Sequence, residues 1–212
     1  MLKLIVIRHA ESLWNPVGRY QGLLDPDLTE RGVEQAKKLA QVLKKENINA
    51  LFSSPLKRTF KTAQIIGEEI GLKPIKEERI IEIDHGIWSG LLVDEVKEKF
   101  PKDFELWLKE PHKVKFPEGE SLQDVFKRIK DFLRFLLENY NEKTVALVSH
   151  TVPIRCLYCA ILDINLSKFW SFGCDNASYS VVYLDAEGRN VIQKLNITCH
   201  LGDLYVEAHK AL

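Results

Sequence analysis

What the chain lacks narrows its function first. No run of about eighteen or more apolar residues occurs, so no membrane-spanning helix is expected. Neither sign of charge is in excess: 30 basic and 30 acidic residues give a formal net charge of zero. Without a long-range field of one sign, recruitment of nucleic acid or of an anionic membrane is not expected. An anionic substrate must then be caught by local geometry. No cleavage-type segment precedes the apolar start, which runs from Met1 through Lys3 and Ile7 straight into Arg8; a soluble, cytoplasmic protein is the expectation.

Cysteine is scarce, with four in 212 residues. Cys156 and Cys159 form a C-x-x-C, but they lie inside Ile154-Arg155-Cys156-Leu157-Tyr158-Cys159-Ala160-Ile161-Leu162, which reads as a buried helix and not a redox turn. No second pair is spaced to complete a zinc site. All four, with Cys174 and Cys199, read as small hydrophobic fillers, and no metal or cofactor is expected. Asn176-Ala177-Ser178 and Asn196-Ile197-Thr198 match a glycosylation pattern that means little without a secretory signal. Internal repeats and low-complexity segments are also missing. A hydrophobic content of 45% is enough for one full core, so a single domain over residues 1–212 is expected.

What is present alternates strand and helix. Leu4-Ile5-Val6-Ile7 is a short continuous apolar run, as expected for a parallel strand covered on both faces. After a loop rich in proline and glycine, Thr29 caps a helix whose Val33, Ala36, Leu39, Ala40 and Leu43 share one face. Ala50-Leu51-Phe52 reads as the next strand. Ser54 at the N-cap and Pro55 at the first helical position signal a following helix, which places Arg58 in its first turn. Residues 80–120 read as an excursion over the sheet, with short helical stretches around Val96 and Trp107. The clearest amphipathic helix begins after Ser121, through Leu122, Val125, Phe126, Ile129, Phe132, Leu133 and Leu136. Thr144-Val145-Ala146-Leu147-Val148 is a second buried strand ending in Ser149-His150, and Pro153 opens the next helix. Residues 179–184 and 191–197 look like a hairpin at a sheet edge, and a polar tail occupies residues 199–212.

Two apolar strands distant in sequence thus each end in a histidine, His9 and His150. A third strand is followed by a helix with Arg58 in its first turn. Carboxyl ends of parallel strands share one rim, where ligands bind in open α/β sheets. Alone, each residue reads as a capping or solvated group; together with Arg8 and Glu82 they form a candidate site.

The same residues carry a resemblance. LIVIRHAESLWN, residues 4–15, resembles the signature of the histidine phosphatase superfamily, the phosphoglycerate-mutase-like fold. The likeness continues at Tyr20-Gln21-Gly22, in residues 27–32, 53–59 and 82–90, at Gly119-Glu120-Ser121 and at Val148-Ser149-His150, in the family's order. Ala10 departs from the motif, which has glycine there, and a methyl beside the phosphate would crowd it slightly. The resemblance implies an α/β fold, a three-layer α/β/α sandwich with a mostly parallel central sheet, and frequent dimers.

By the same resemblance, His9 is the nucleophile, Arg8, Arg58 and His150 hold the phosphoryl group, and Glu82 donates the proton. Asn15, Gln21 and Gly22 would line the same pocket. On its own, the acidic neighbourhood of Glu77, Glu78 and Glu82 reads as a solvated loop. Chemistry supports the assignment: a phosphohistidine splits the displacement into two steps, and guanidinium forks suit phosphate oxygens.

Within the superfamily, residues 82–86 and the ending Asn196 to Gly202 resemble the metal-independent phosphoserine phosphatases. That likeness implies hydrolysis of L-phosphoserine, with His85 meeting the substrate beyond the phosphate and Tyr205 and His209 of the tail closing over it. A cofactor-dependent phosphoglycerate mutase shares the pocket, but the short central excursion argues for a phosphatase. A non-catalytic subunit that binds a phosphoryl ligand is disfavoured by the presence of Arg8, His9, Arg58, Glu82 and His150 together.

Overall fold

Alternate residues of the first strand face two different cores, and the layers follow from that. The computed structural model describes residues 1–207. Strand β1 (Leu2–Arg8) sends Leu2, Leu4 and Val6 into one apolar cluster and Ile5 and Ile7 into another, the period of two that a pleated strand imposes. Strand β4 (Thr144–Ser149) divides Val145 and Leu147 from Ala146 and Val148 in the same way, and β2 (Ala50–Ser53) divides Ala50 and Phe52 from Leu51. A sheet apolar on both faces needs cover on both. Helices α1 (Glu30–Leu43) and α2 (Lys57–Ile70) cover one face through Leu39, Ala63 and Ile66. Helices α5 (Leu122–Asn139) and α6 (Thr151–Ile161) cover the other through Ile129, Phe132 and Leu157. The excursion adds α3 (Val93–Lys99) and α4 (Pro101–Lys109) to that second layer.

The six-stranded sheet includes β3 (Ile75–Lys76), β5 (Tyr179–Leu184) and β6 (Val191–Ile197), in the order β3-β2-β4-β1-β5-β6. The contacts β1 with β4, β2 with β4 and β2 with β3 are parallel; β5 and β6 form the antiparallel edge. This is the three-layer α/β/α fold that the sequence implied.

Helix starts follow their caps where a side chain is free to cap. The Thr29 hydroxyl accepts the Gly32 N–H at 2.9 Å, and Ser121 and Asp124 bond each other's backbone N–H in a capping box. Two expected starts are corrected. Helix α2 begins at Lys57 behind Leu56, not at Pro55, because the Ser54 hydroxyl turns to His150, 2.7 Å away. Helix α6 begins at Thr151, two residues before Pro153, directly after His150. Gly32 brings α1 against the turn after β1: a Cβ there would lie 2.1 Å from the Glu11 carbonyl oxygen.

Candidate active site

The carboxyl ends of β1, β4 and β2 stand side by side. Arg8 pairs in register with Ser149, and Ser53 with Val148. Beyond the ladder, the His9 N–H donates to the Ser149 carbonyl and the Ser54 N–H to the Val148 carbonyl, both at 3.0 Å. His9 and His150 therefore leave neighbouring strands at one level, and their rings meet edge-on with centroids 5.3 Å apart. Arg58, the second residue of α2, is aimed by two backbone carbonyls, donating to Leu24 at 2.8 Å and Gly22 at 2.9 Å. One cavity is lined by Arg8, His9, Arg58 and Glu82.

Asn15, Gln21, Gly22 and His85 line that cavity as well. His150, fully buried, is not among its lining residues and meets it through His9. Tyr205 does not line it either. This side chain is exposed and bonds Asp175 Oδ2 at 3.4 Å beside a neighbouring cavity. His209 lies outside the described residues.

Ring orientation at His9 follows from a local bond. Nδ1–H donates to the carbonyl oxygen of Ala10 at 2.7 Å, which leaves Nε2 as the nitrogen with a free lone pair. Burial, then Arg58 and Arg8, hold the His9 pKa well below the ordinary imidazole value of 6.5, so the ring is neutral at neutral pH. His150 is lowered for the same first reason, with Arg58 and His9 adding to it. The Arg58 guanidinium is pushed down to about 10 by burial and still carries its charge at neutral pH. Arg8 Nη1 donates to the Cys174 carbonyl at 2.6 Å, while Nε of Arg8 and Nε of Arg58 are buried without partners. Unpartnered buried donors on two adjacent guanidinium groups call for an anion, since leaving them unpaired is costly.

Glu82 is not part of a solvated loop. Glu77 pairs with Arg79 at 2.7 Å and Glu78 faces water, whereas Glu82 is 7% exposed and turned into the cavity. Burial raises its pKa above the carboxyl value of 4.5, against the opposing pull of Arg58 and Arg8. Arg128 of α5 fixes its backbone, donating to the Glu82 carbonyl at 3.2 Å and the Arg79 carbonyl at 2.8 Å. A neutral base and an acid whose pKa is raised thus line one cavity with two fixed positive charges.

Ala10 does not crowd the cavity as expected. Its side chain belongs to the core cluster with Ile7, Leu28 and Ala36, and its N–H donates to Thr62 Oγ1 at 3.1 Å. Gly22 does require glycine: its φ is +50°, and a Cβ would lie 2.8 Å from Ser89 Oγ. Several residues of the site gave little sign of themselves in the sequence. Asn176 Nδ2 donates to the His9 carbonyl at 3.1 Å and Asn15 Oδ1 at 3.3 Å. Thr151 and Arg155 line the cavity too. Arg155 does carry a signal in the sequence, being the one charged residue of α6.

Comparison with known proteins agrees with this geometry. The family model of the histidine phosphatase superfamily (branch 1) matches residues 4–198. Phosphoserine phosphatase 1 of Hydrogenobacter thermophilus is 64% identical over 212 residues, the whole of both chains. Among solved structures, Bacillus stearothermophilus YhfR superposes with a TM-score of 0.89 at 28% identity, covering 95% of this chain and 100% of that one. A mutant of the Entamoeba histolytica phosphoserine phosphatase in complex with phosphoserine superposes with a TM-score of 0.83 at 30% identity, covering 95% and 100%. The chain belongs to the histidine phosphatase superfamily.

Proposed function

We propose that this protein is a phosphoserine phosphatase, hydrolysing L-phosphoserine to L-serine and phosphate through a phosphohistidine. The observation that carries the substrate is the 64% identity, end to end, with a relative named phosphoserine phosphatase. The chemistry is carried by the cavity.

In the first step the Nε2 lone pair of His9 attacks phosphorus, the bond to the serine oxygen breaks, and the Glu82 proton passes to that oxygen. Arg8 and Arg58 meet the charge spread over the equatorial oxygens, with His150 supporting them beside His9. An arriving phosphate dianion raises the Glu82 pKa further and keeps the acid protonated until it is needed. In the second step the Glu82 carboxylate takes a proton from water, the resulting hydroxide attacks phosphorus, and the phosphorus–nitrogen bond breaks. Phosphate leaves, and His9 and Glu82 return to their starting forms. Asn15, Gln21 and Gly22 shape the phosphate end, and His85 the alcohol end. For the tail, Tyr205 stands beside the neighbouring cavity, from which it would close over bound substrate.

We also read the chain as one domain, a cytoplasmic enzyme of serine biosynthesis and a homodimer. Supporting the location, Cys156, Cys159, Cys174 and Cys199 are all free thiols, as in a reducing compartment. No helix among the described residues is long and apolar enough to cross a membrane. Supporting the dimer, β6 is an outer strand with Val191 and Leu195 exposed, and such an edge invites pairing. Sizing in solution checks it.

The deciding experiment compares kcat/KM for phosphoserine, 3-phosphoglycerate, phosphothreonine and nucleotide monophosphates. Phosphoserine is expected to lead the panel. Poor turnover of it beside a much better substrate overturns the reading, and stimulation by 2,3-bisphosphoglycerate with isomerised product would make the protein a mutase.

A further inference from the structure

Arg155 carries a charge that the phosphate end of the cavity does not use. It lies one helical turn after Thr151 on α6, so the two side chains share a face, and both line the cavity of His9 and Glu82. The residue is 8% exposed. Its Nε donates to the Phe172 carbonyl at 3.0 Å, while Nη1 is buried with no partner. Two rings hold the guanidinium plane, Trp170 at 4.6 Å and Phe169 at 5.4 Å from ring centroid to Cζ. It takes part in no ion pair of the described residues.

Its position is peripheral to the phosphate. Arg155 and Trp170 are the two residues shared with the neighbouring cavity of Cys174, Asp175 and Tyr205, which sets them at the edge of the catalytic cavity. A buried, stacked guanidinium with an unused donor is costly to keep unless an anion meets it. Arg58 and Arg8 are the guanidinium groups whose charge acts on His9. The anion that Arg155 awaits is therefore a second one, on the same substrate.

We propose that Arg155, with Thr151 beside it, binds the carboxylate of the substrate and makes the enzyme selective for phosphomonoesters of hydroxy acids. The inference rests on the phosphoserine reading of the site and says which part of phosphoserine is read. A flat fork packed against two rings suits a carboxylate, and the Thr151 hydroxyl at the start of α6 adds a donor on the same side. Phosphate and carboxylate are then gripped by separate arginines, which fixes the ester oxygen between His9 and Glu82. An alcohol without the carboxylate loses that second anchor.

The test is a ratio measured within each protein, so that a general loss of active enzyme cancels. Kinetics with L-phosphoserine and with its methyl ester, which keeps the ammonium and removes the carboxylate charge, give kcat/KM for both. In the wild type the ratio is expected to favour phosphoserine by about 100-fold, the scale of a lost buried charge pair. In Arg155→Gln it is expected to collapse to near one, and in Thr151→Val to fall part of the way. A wild-type ratio near one, or a ratio unchanged in Arg155→Gln, overturns the proposal. If Arg155→Gln does not fold, Arg155→Lys replaces it: a reduced ratio supports the fork, an unchanged one refutes it. Failure of the phosphoserine reading is separable. If 3-phosphoglycerate proves the better substrate and its preference over glycerol 3-phosphate depends on Arg155, the subsite stands while the phosphoserine reading falls. A preferred substrate without any carboxylate defeats both.

Discussion

Nε2 of His150 and Oγ of Ser54 stand 2.7 Å apart, joining the ends of two neighbouring parallel strands through their side chains. Both residues are fully buried, so the bond has no water to replace it. Ser54→Ala leaves the imidazole nitrogen unpaired, at about 1–3 kcal/mol of stability. It also frees the His150 ring that abuts His9. Urea unfolding together with kcat/KM for phosphoserine checks this: both are expected to fall. A variant as stable and active as the wild type would show that the bond contributes nothing.

The nitrogen that reacts is set by the Ala10 carbonyl, which occupies Nδ1 of His9. Phosphorylation is therefore expected on Nε2. Quenching in alkaline denaturant during turnover, followed by mass spectrometry and phosphorus NMR of the base-stable phosphopeptide, should find the phosphoryl group there. His9→Ala is expected to lose the phosphoenzyme and nearly all turnover. A label on Nδ1, or full activity in His9→Ala, contradicts the mechanism.

Glu82 and His9 set opposite limbs of the pH profile. His9 acts unprotonated and its pKa is held well below 6.5, so kcat/KM should not fall on its account until the pH is well under that value. Glu82 acts protonated and its pKa is raised above 4.5, so activity falls as pH rises through that elevated value. Glu82→Gln should remove this basic limb and cost about 10²- to 10⁴-fold on phosphoserine, whose leaving oxygen needs a proton. With p-nitrophenyl phosphate, a far better leaving group, the loss should be much smaller. Equal losses on both substrates would mean that Glu82 is not the proton donor.

How much of this was readable depended on range. Strand β1, the β5–β6 hairpin and α5 carry their own periodicity, so their positions follow from local pattern. The convergence of His9, His150 and Arg58 followed from one rule about parallel strand ends. Ser54 misled because a side chain that caps a helix elsewhere is drawn here to a histidine 96 residues away in sequence. β3 is two residues long and has no period to read. Asn176 matches a glycosylation pattern, yet it holds the His9 carbonyl across 167 positions, from a turn in which the next residue, Ala177, adopts φ +53°. Arg155 sits in an apolar run whose pattern hides it, although one charge in a buried helix is itself a signal.

His85 offers a measure of the site independent of catalysis. Its ring packs between Tyr20 and Phe116, with centroids 5.0 and 4.9 Å away, and Nδ1 is buried without a partner. Burial first, then Arg58, pushes its pKa down to about 3, against about 6.5 for an exposed histidine in the unfolded chain. Between those values the unfolded chain takes up a proton that the folded one refuses. Stability from this group is thus complete above the unfolded value and is lost as pH falls toward the folded one. At about pH 5 the loss amounts to about 2 kcal/mol. His9 and His150 act in the same direction, so His85→Phe removes only one share. Unfolding free energies at pH 7 and pH 5 should differ by about 2 kcal/mol less in His85→Phe than in the wild type. Equal differences in the two proteins would mean that the folded His85 ring takes up its proton as readily as an exposed one, and that it is not sealed against the cavity wall.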